Sequence, residues 1–241
     1  MLTLKLENGV DILFEYLECE NSNHIAVQWY NAYKFAVGNN PGKLSGEIVA
    51  SCTKRLAIFN LNELQELVRY DELELDRIGD KKTILFVVGS VYSPELRLLT
   101  ALLYTQALDS LCERSDNNVG RLPLHVRFLL DDFSDIGIIQ NFCKWVAVLR
   151  GRNISVAVIV QSLSQLKYGF SDGAERFISL CDSVLYLGRH NAPEFEELSK
   201  IMEVPQKMLL LKPTDCILKI RGEKPFYSKK YDLKKHPNYR S

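Results

Sequence analysis

The spacing of apolar positions changes character near residue 80. Before that point, "VDILFEYLE" and "HIAVQWYNAYKFAV" repeat apolar residues at three- and four-residue intervals, the period of an amphipathic helix. Asn23 stands where it would cap the second of these helices. "KLSGEIVASCTKRLAIF" reads as a third helix and "NLNELQELV" as a short fourth. Residues 1–78 are therefore expected to form a small all-helical domain.

Beyond residue 80 short apolar runs alternate with helical stretches. "KTILFVVG" (82–89), "HVRFLL" (125–130), "ISVAVIV" (154–160), "SVLYLG" (183–188) and "DCILKIRG" (215–222) read as strands, the last at a sheet edge. Between them lie helices over 94–114, 141–152, 175–181 and 192–202. Ser93 is placed to cap the first of these, with Pro94 in its first turn. Strand–helix alternation with near-continuous apolar strands predicts an α/β fold for residues 79–241: a mostly parallel sheet with helices on both faces. In such sheets ligands bind at the carboxyl ends of the strands. The chain shows no internal repeat and no low-complexity stretch.

Composition narrows the picture. Nearly half of the 241 residues are apolar, enough for a sizeable core, and the formal net charge is zero, which argues against a protein that coats nucleic acid throughout. Charge is nevertheless uneven. Residues 63–80 carry seven acidic side chains against two basic ones, whereas residues 219–241 carry eight basic against two acidic. Phe226, Tyr227, Tyr231 and Tyr239 interleave with that basic tail. The tail reads either as a surface for phosphates and bases or as a solvated end packing its aromatics on the domain. The six cysteines are scattered without a C-x-x-C pair and read as reduced thiols of a cytosolic protein. The four histidines lie at no metal-ligand spacing, which argues against zinc. No signal peptide and no membrane-spanning run is expected.

The stretch "FLLDDFSDIG" (128–137) carries the candidate chemistry. An apolar strand ending in two carboxylates, Asp131 and Asp132, has the form of a Walker B site. There the first acid helps to hold Mg²⁺ on nucleotide phosphates and the second orients the attacking water. A bound cation relieves the repulsion between the neighbouring charges. A strand-to-loop turn rich in Asp is the alternative reading. Arg150 ends the helix that follows, and Gln161 directly follows the strand "ISVAVIV". A guanidinium can neutralise charge on a transferring phosphate, and an amide can bond a γ-phosphate or its water. Separately, Arg150 reads equally as a surface ion-pair partner and Gln161 as a helix cap. Together the four residues are expected to converge where a terminal phosphate would lie.

A nucleotide engine also needs a phosphate cradle, G-x-x-x-x-G-K-[ST], between a strand and a helix. "GNNPGKLS" (38–45) approaches it, but Val37 stands where Gly is required and Leu44 where Ser or Thr is required. The preceding "WYNAYKFAV" is helical in period, and Pro41–Gly42 suits a helix–helix turn.

The run "RLPLHVRFLLDDFSDIGIIQNFCKWVAVLRGRNISVAVIVQSLSQL" (121–166) resembles conjugative coupling proteins, the TraG/TraD-type ATPases of type IV secretion. The resemblance extends from about residue 10 to the end, through "CDSVLYLG", "CILKIRG" and "KYDLKKHPNYR". It implies a RecA-like motor domain bearing an all-helical domain, with ATP and Mg²⁺ as cofactors. It also implies hexamers at the inner face of the cell membrane that pass single-stranded DNA with its relaxase, or effector proteins, to the secretion channel. On that resemblance Asp131 matches the Mg²⁺-associated acid. Asp132 occupies the position of a water-activating Glu, Arg150 that of an arginine finger acting across a subunit interface, and Gln161 that of a sensing glutamine. Three departures follow. The family's phosphate loop and membrane helices lie upstream of the matched region. Asp132 is one methylene shorter than Glu. The segment between "ELSKIMEVP" and "TDCILKIRG" is shorter than the family's. The expected function is thus the motor portion of a truncated coupling protein that does not hydrolyse ATP alone. The alternatives are an ATPase completed by a separately encoded phosphate-loop half, or a non-catalytic module that binds substrates and partners.

Overall fold

A computed structural model describes residues 9–37, 47, 48, 50, 51, 54, 56–89, 94–170, 173–188 and 194–239. The chain divides into two compact units, Met1–Glu72 and Leu73–Ser241. The near-miss cradle at 38–45 and the cap expected at Ser93 lie outside the described residues.

The first unit is helical. Helix α1 (Gly9–Glu20) and helix α2 (Ile25–Val37) are joined by four residues and meet through Phe14 and Tyr30, whose rings stack 3.9 Å apart. The cap of α2 is His24 rather than Asn23: its Nδ1 accepts the Ala26 N–H at 3.2 Å. Asn23 instead donates its N–H to the Asn21 side chain and offers its carbonyl to Gln28. A single turn of 3-10 helix (Ala57–Asn60) leads into helix α3 (Asn62–Leu67), where Ile58 and Leu64 are buried.

The second unit is the α/β part, and the α/β class read from the sequence is the class observed. Helix α4 (Pro94–Asp116) buries Ala101, Leu108, Leu111 and Cys112, a stripe at helical spacing. Strand β1 (Val126–Leu130) pairs in parallel with strand β2 (Ile154–Val158), with Val126 opposite Ile154 and Leu130 opposite Val158. Helix α5 (Phe142–Leu149) and a 3-10 turn (Arg150–Arg152) make the crossover between them. From β2 the chain passes through helix α6 (Leu163–Phe170) and helix α7 (Ala174–Leu180) to strand β3 (Ser183–Tyr186). One core joins α4, the β1–β2 pair and α5–α7 through Leu108, Leu111, Leu130, Phe133, Phe142, Leu149, Ile154, Leu166 and Phe177.

A second sheet is antiparallel. Strand β3 pairs with strand β4 (Asp215–Ile220), which pairs in turn with strand β5 (Phe226–Lys229). The run 215–222, expected at an edge, is therefore the central strand. Its neighbour β5 comes from the aromatic-basic tail, and Phe226 and Tyr227 remain about half exposed on it. Helix α8 (Phe195–Met202) packs on this sheet around Met202, Leu209, Leu211 and Ile217.

Residues 82–89 do not form the expected strand. They join no ladder, and Ile84, Phe86 and Val88 are 80%, 84% and 94% exposed. The segment lies in sequence between two contacts to the β1 region. It starts near Gly79, whose carbonyl accepts the N–H of Leu124 just before β1, and it leads to α4, where Arg97 meets Asp135 just beyond β1. A strand exists only when a neighbour accepts its backbone bonds, and none of the described residues does so here.

Candidate functional site

The carboxyl ends of β1 and β2 bring the candidate residues to one rim. Strand β1 stops at Leu130, and Asp131 turns back on the chain by accepting the Asp132 N–H on its own Oδ1 at 3.1 Å. Asp132 adopts the left-handed conformation (φ 43°), which Asp tolerates better than most residues. That reversal lets the next residue, Phe133, drop into the core at 1% exposure, against Phe142 and Phe170. Its N–H donates to the Ile159 carbonyl at 3.1 Å, tying the turn to the end of β2. The two carboxylates are thereby held outward, exposed, above a rigid aromatic floor.

Gln161 meets them from the next strand. Its Nε2 donates to Asp132 Oδ1 at 3.1 Å. Two neighbours fix its backbone: Gln165 Oε1 accepts the Gln161 N–H at 2.9 Å, and Ser162 Oγ accepts the Gln165 N–H at 3.2 Å. This is the S-x-x-Q pattern of a helix start, with the glutamine reaching one residue further back than the usual capping box. The sequence "QSLSQ" (161–165) carries that signal.

Glu194 was also missed. It precedes α8, and its carboxylate accepts the N–H of Leu163 at 3.0 Å and of Ser164 at 2.9 Å. It thus occupies the positive start of α6, where unpaired amides favour an anion. Lys167 and Glu197 add an ion pair at 2.7 Å between the same two helices. No local pattern reveals Glu194, because its partners lie some thirty residues earlier.

Arg150 lies elsewhere. Helix α5 runs back from the carboxylate rim, so the 3-10 turn after it sits at the amino ends of β1 and β2. Five-residue strands place that end about 15 Å from the carboxylates. The Arg150 guanidinium is 3.5 Å from Asp182, and the side chain is 82% exposed. Asp131, Asp132 and Gln161 are therefore assembled within this chain, and the expected convergence does not include Arg150.

The donors at the rim suit a metal that arrives with phosphates. Mg²⁺ is usually shared by one or two carboxylates, water and the nucleotide. Asp131 and Asp132 offer hard oxygens at the right strand end. Among the described residues no group of three or more His, Cys, Asp or Glu side chains is placed to hold a metal by itself.

Residues 12–203 match the family described as type IV secretory system conjugative DNA transfer. The chain belongs to this family. Nucleotide and Mg²⁺ use is implied at the level of the family. Comparison of this family member with curated proteins gives no match. Among solved structures it is similar to a bacterial conjugative coupling protein, TrwBdeltaN70 in its unbound monoclinic form. The identity is 15% and the TM-score 0.47, over 56% of this chain and 37% of that one. The conjugative-transfer chain thus spans little more than a third of that structure's length. Among its described residues no helix is long and apolar enough to cross a membrane.

Proposed function

We propose that residues 1–241 act as the Walker B side of a coupling-protein motor in conjugative DNA transfer, linking a relaxase–DNA or effector substrate to the secretion channel. The observation that carries this reading is the Asp132–Gln161 hydrogen bond, which joins the tips of two adjacent parallel strands in a chain of this family. In the proposed site Asp131 holds Mg²⁺ and Asp132 orients the attacking water. Gln161 holds Asp132 and reports on the terminal phosphate. The bound Mg²⁺–ATP would supply the charge and the scissile phosphate.

Arg150 has a role only across a boundary between copies, because it stands at the opposite strand ends and points to solvent. The hexamer of coupling proteins is the assembly that would bring it to a neighbour's phosphate. These 241 residues contain no complete phosphate-loop pattern, so the cradle must come from polypeptide outside them.

Phosphate release in Mg²⁺–ATP tests the reading. The purified chain alone is expected to give no turnover, with or without single-stranded DNA. Joined to a phosphate-loop segment, it is expected to gain turnover that Asp131→Ala abolishes. Turnover by the isolated chain, or turnover that survives Asp131→Ala in the joined protein, would overturn it.

A second reading draws on the first unit, where Ile25, Trp29 and Phe35 on α2 are 67%, 72% and 91% exposed. Large apolar side chains left in water mark interaction surfaces. On this reading the helical unit binds substrate proteins whether or not ATP is hydrolysed. Capture of a relaxase by the wild-type chain, lost on Trp29→Ala, is the expected result.

A further inference from the structure

Helix α6 meets the carboxylate turn at both of its ends, and the two ends are held differently. Its far end is held by packing. Leu166 is buried, Phe170 stacks on Phe133 at 5.0 Å, and a Cβ added at Gly169 would stand 3.2 Å from the Phe133 ring. Its start has little apolar anchorage. Gln161, Ser162, Ser164 and Gln165 are polar, and Leu163 is only partly buried. The first amides of a helix have no acceptor within it, so this start depends on acceptors brought from elsewhere.

Glu194 supplies two of them. Its Oε2 takes the Leu163 N–H and its Oε1 the Ser164 N–H. Within the turn the Ser162 hydroxyl takes the Gln165 N–H, and the Gln165 side chain takes the Gln161 N–H. The Gln161 amide then reaches Asp132. One helical turn and an unbroken run of hydrogen bonds thus lead from Glu194 to Asp132. Glu194 itself stands directly before α8, and the far end of α8 is fixed in the second core. There Met202 is fully buried, and the Ser199 hydroxyl donates to the Val204 carbonyl at 2.6 Å. The parallel pair and the antiparallel sheet are separate ladders among the described residues, so this run makes a connection that no backbone pairing supplies.

We infer that Glu194 is a positioning residue: by holding the start of α6 against α8, it sets the Gln161 amide on Asp132. It acts through the α6 backbone. Each of its carboxylate oxygens serves one amide, so a glutamine in its place keeps one bond and turns a donor toward the other amide. The Lys167–Glu197 pair ties the same two helices one turn further on, but its lysine is exposed, and such pairs contribute little. The role of Gln161 toward a terminal phosphate rests on the reading above; its placement by Glu194 does not.

The test is magnetic resonance on the full chain without nucleotide. Glu194→Ala is expected to speed amide exchange at Leu163 and Ser164 by roughly fivefold to tenfold, the effect of losing a helix cap. It is also expected to speed exchange of the Gln161 side-chain amide and to move the Asp132 carboxyl carbon resonance. Glu194→Gln is expected to give intermediate values at both residues, and it carries the same comparison if Glu194→Ala does not fold. Lys167→Ala is expected to leave Gln161 unchanged. In a Gln161→Ala background, Glu194→Ala is expected to move Asp132 no further, which a general loosening of the fold would not reproduce. Unchanged exchange of the Gln161 side chain in both Glu194 variants would overturn the positioning. So would an equal effect from Lys167→Ala, or a further Asp132 shift once Gln161 is gone. With nucleotide absent, none of these outcomes bears on the nucleotide reading, which stands or falls on phosphate release.

Discussion

Phe133 does more for the candidate site than either aspartate does for itself. It follows them directly, lies almost fully buried, and stacks within a cluster with Phe142, Phe170 and Phe177. Phe133→Ala is expected to cost about 3–5 kcal/mol through the cavity it leaves, measured by urea unfolding of the second unit. The same variant is expected to free the Asp131–Asp132 turn, read as a loss of the Gln161 side-chain amide's protection from exchange. Cys181 shows the opposite case of a half-buried group with little chemistry. Burial, then the charge of Asp182, pushes its thiol up from 9.0 to about 11, against the lowering effect of Arg221. A raised value favours the neutral thiol in the folded state. The site's contribution to stability is therefore complete below about pH 9 and is lost as pH rises toward 11. Alkylation by iodoacetamide at pH 8 is expected to modify exposed Cys19 well before Cys181, and faster labelling of Cys181 would contradict this environment.

Elements hold their places here through close backbone approach as well as through side chains. Gly137, just past the carboxylate turn, has φ +97°, and a Cβ added there would come within 2.8 Å of the Arg97 carbonyl on α4. Gly137→Ala combines the strain of positive φ with a backbone clash. It is expected to destabilise by more than about 1 kcal/mol, lowering the thermal midpoint without changing the helical content at low temperature. Much of the element pattern was legible in the sequence. Helix α4, strands β1 and β2 and helix α8 follow from local periodicity, because a helix or a covered strand must show one apolar face whatever lies opposite. Three features were not legible. His24 replaced Asn23 as the cap of α2 because an imidazole nitrogen can accept the amide bond as a hydroxyl or amide would. Strand β5 was hidden in the basic tail because an exposed outer strand shows no apolar alternation. Residues 82–89 have the composition of a buried strand but join no ladder.

The second unit leaves apolar side chains of residues 82–89 uncovered. "TILFVV" is a six-residue run of high β propensity without charge or proline, and its alternate members Ile84, Phe86 and Val88 are almost fully exposed. Such a run is a template for intermolecular pairing. The isolated chain is expected to self-associate with rising concentration, and Phe86→Lys is expected to reduce light scattering without lowering the thermal midpoint. Scattering unchanged by that substitution would place the contact elsewhere. At this scale the sequence by itself determined the α/β class, the identity of the acid pair and its position at a strand end, and the family. Each of these depends on the order of residues within a few turns or along one strand. Only the tertiary structure decided that Gln161 reaches Asp132, that Glu194 holds the start of α6, and that Arg150 stands at the far end of the strands. Contacts between residues some thirty positions apart are set by which strands pair and which way each helix returns, and neither is encoded in the spacing of neighbours.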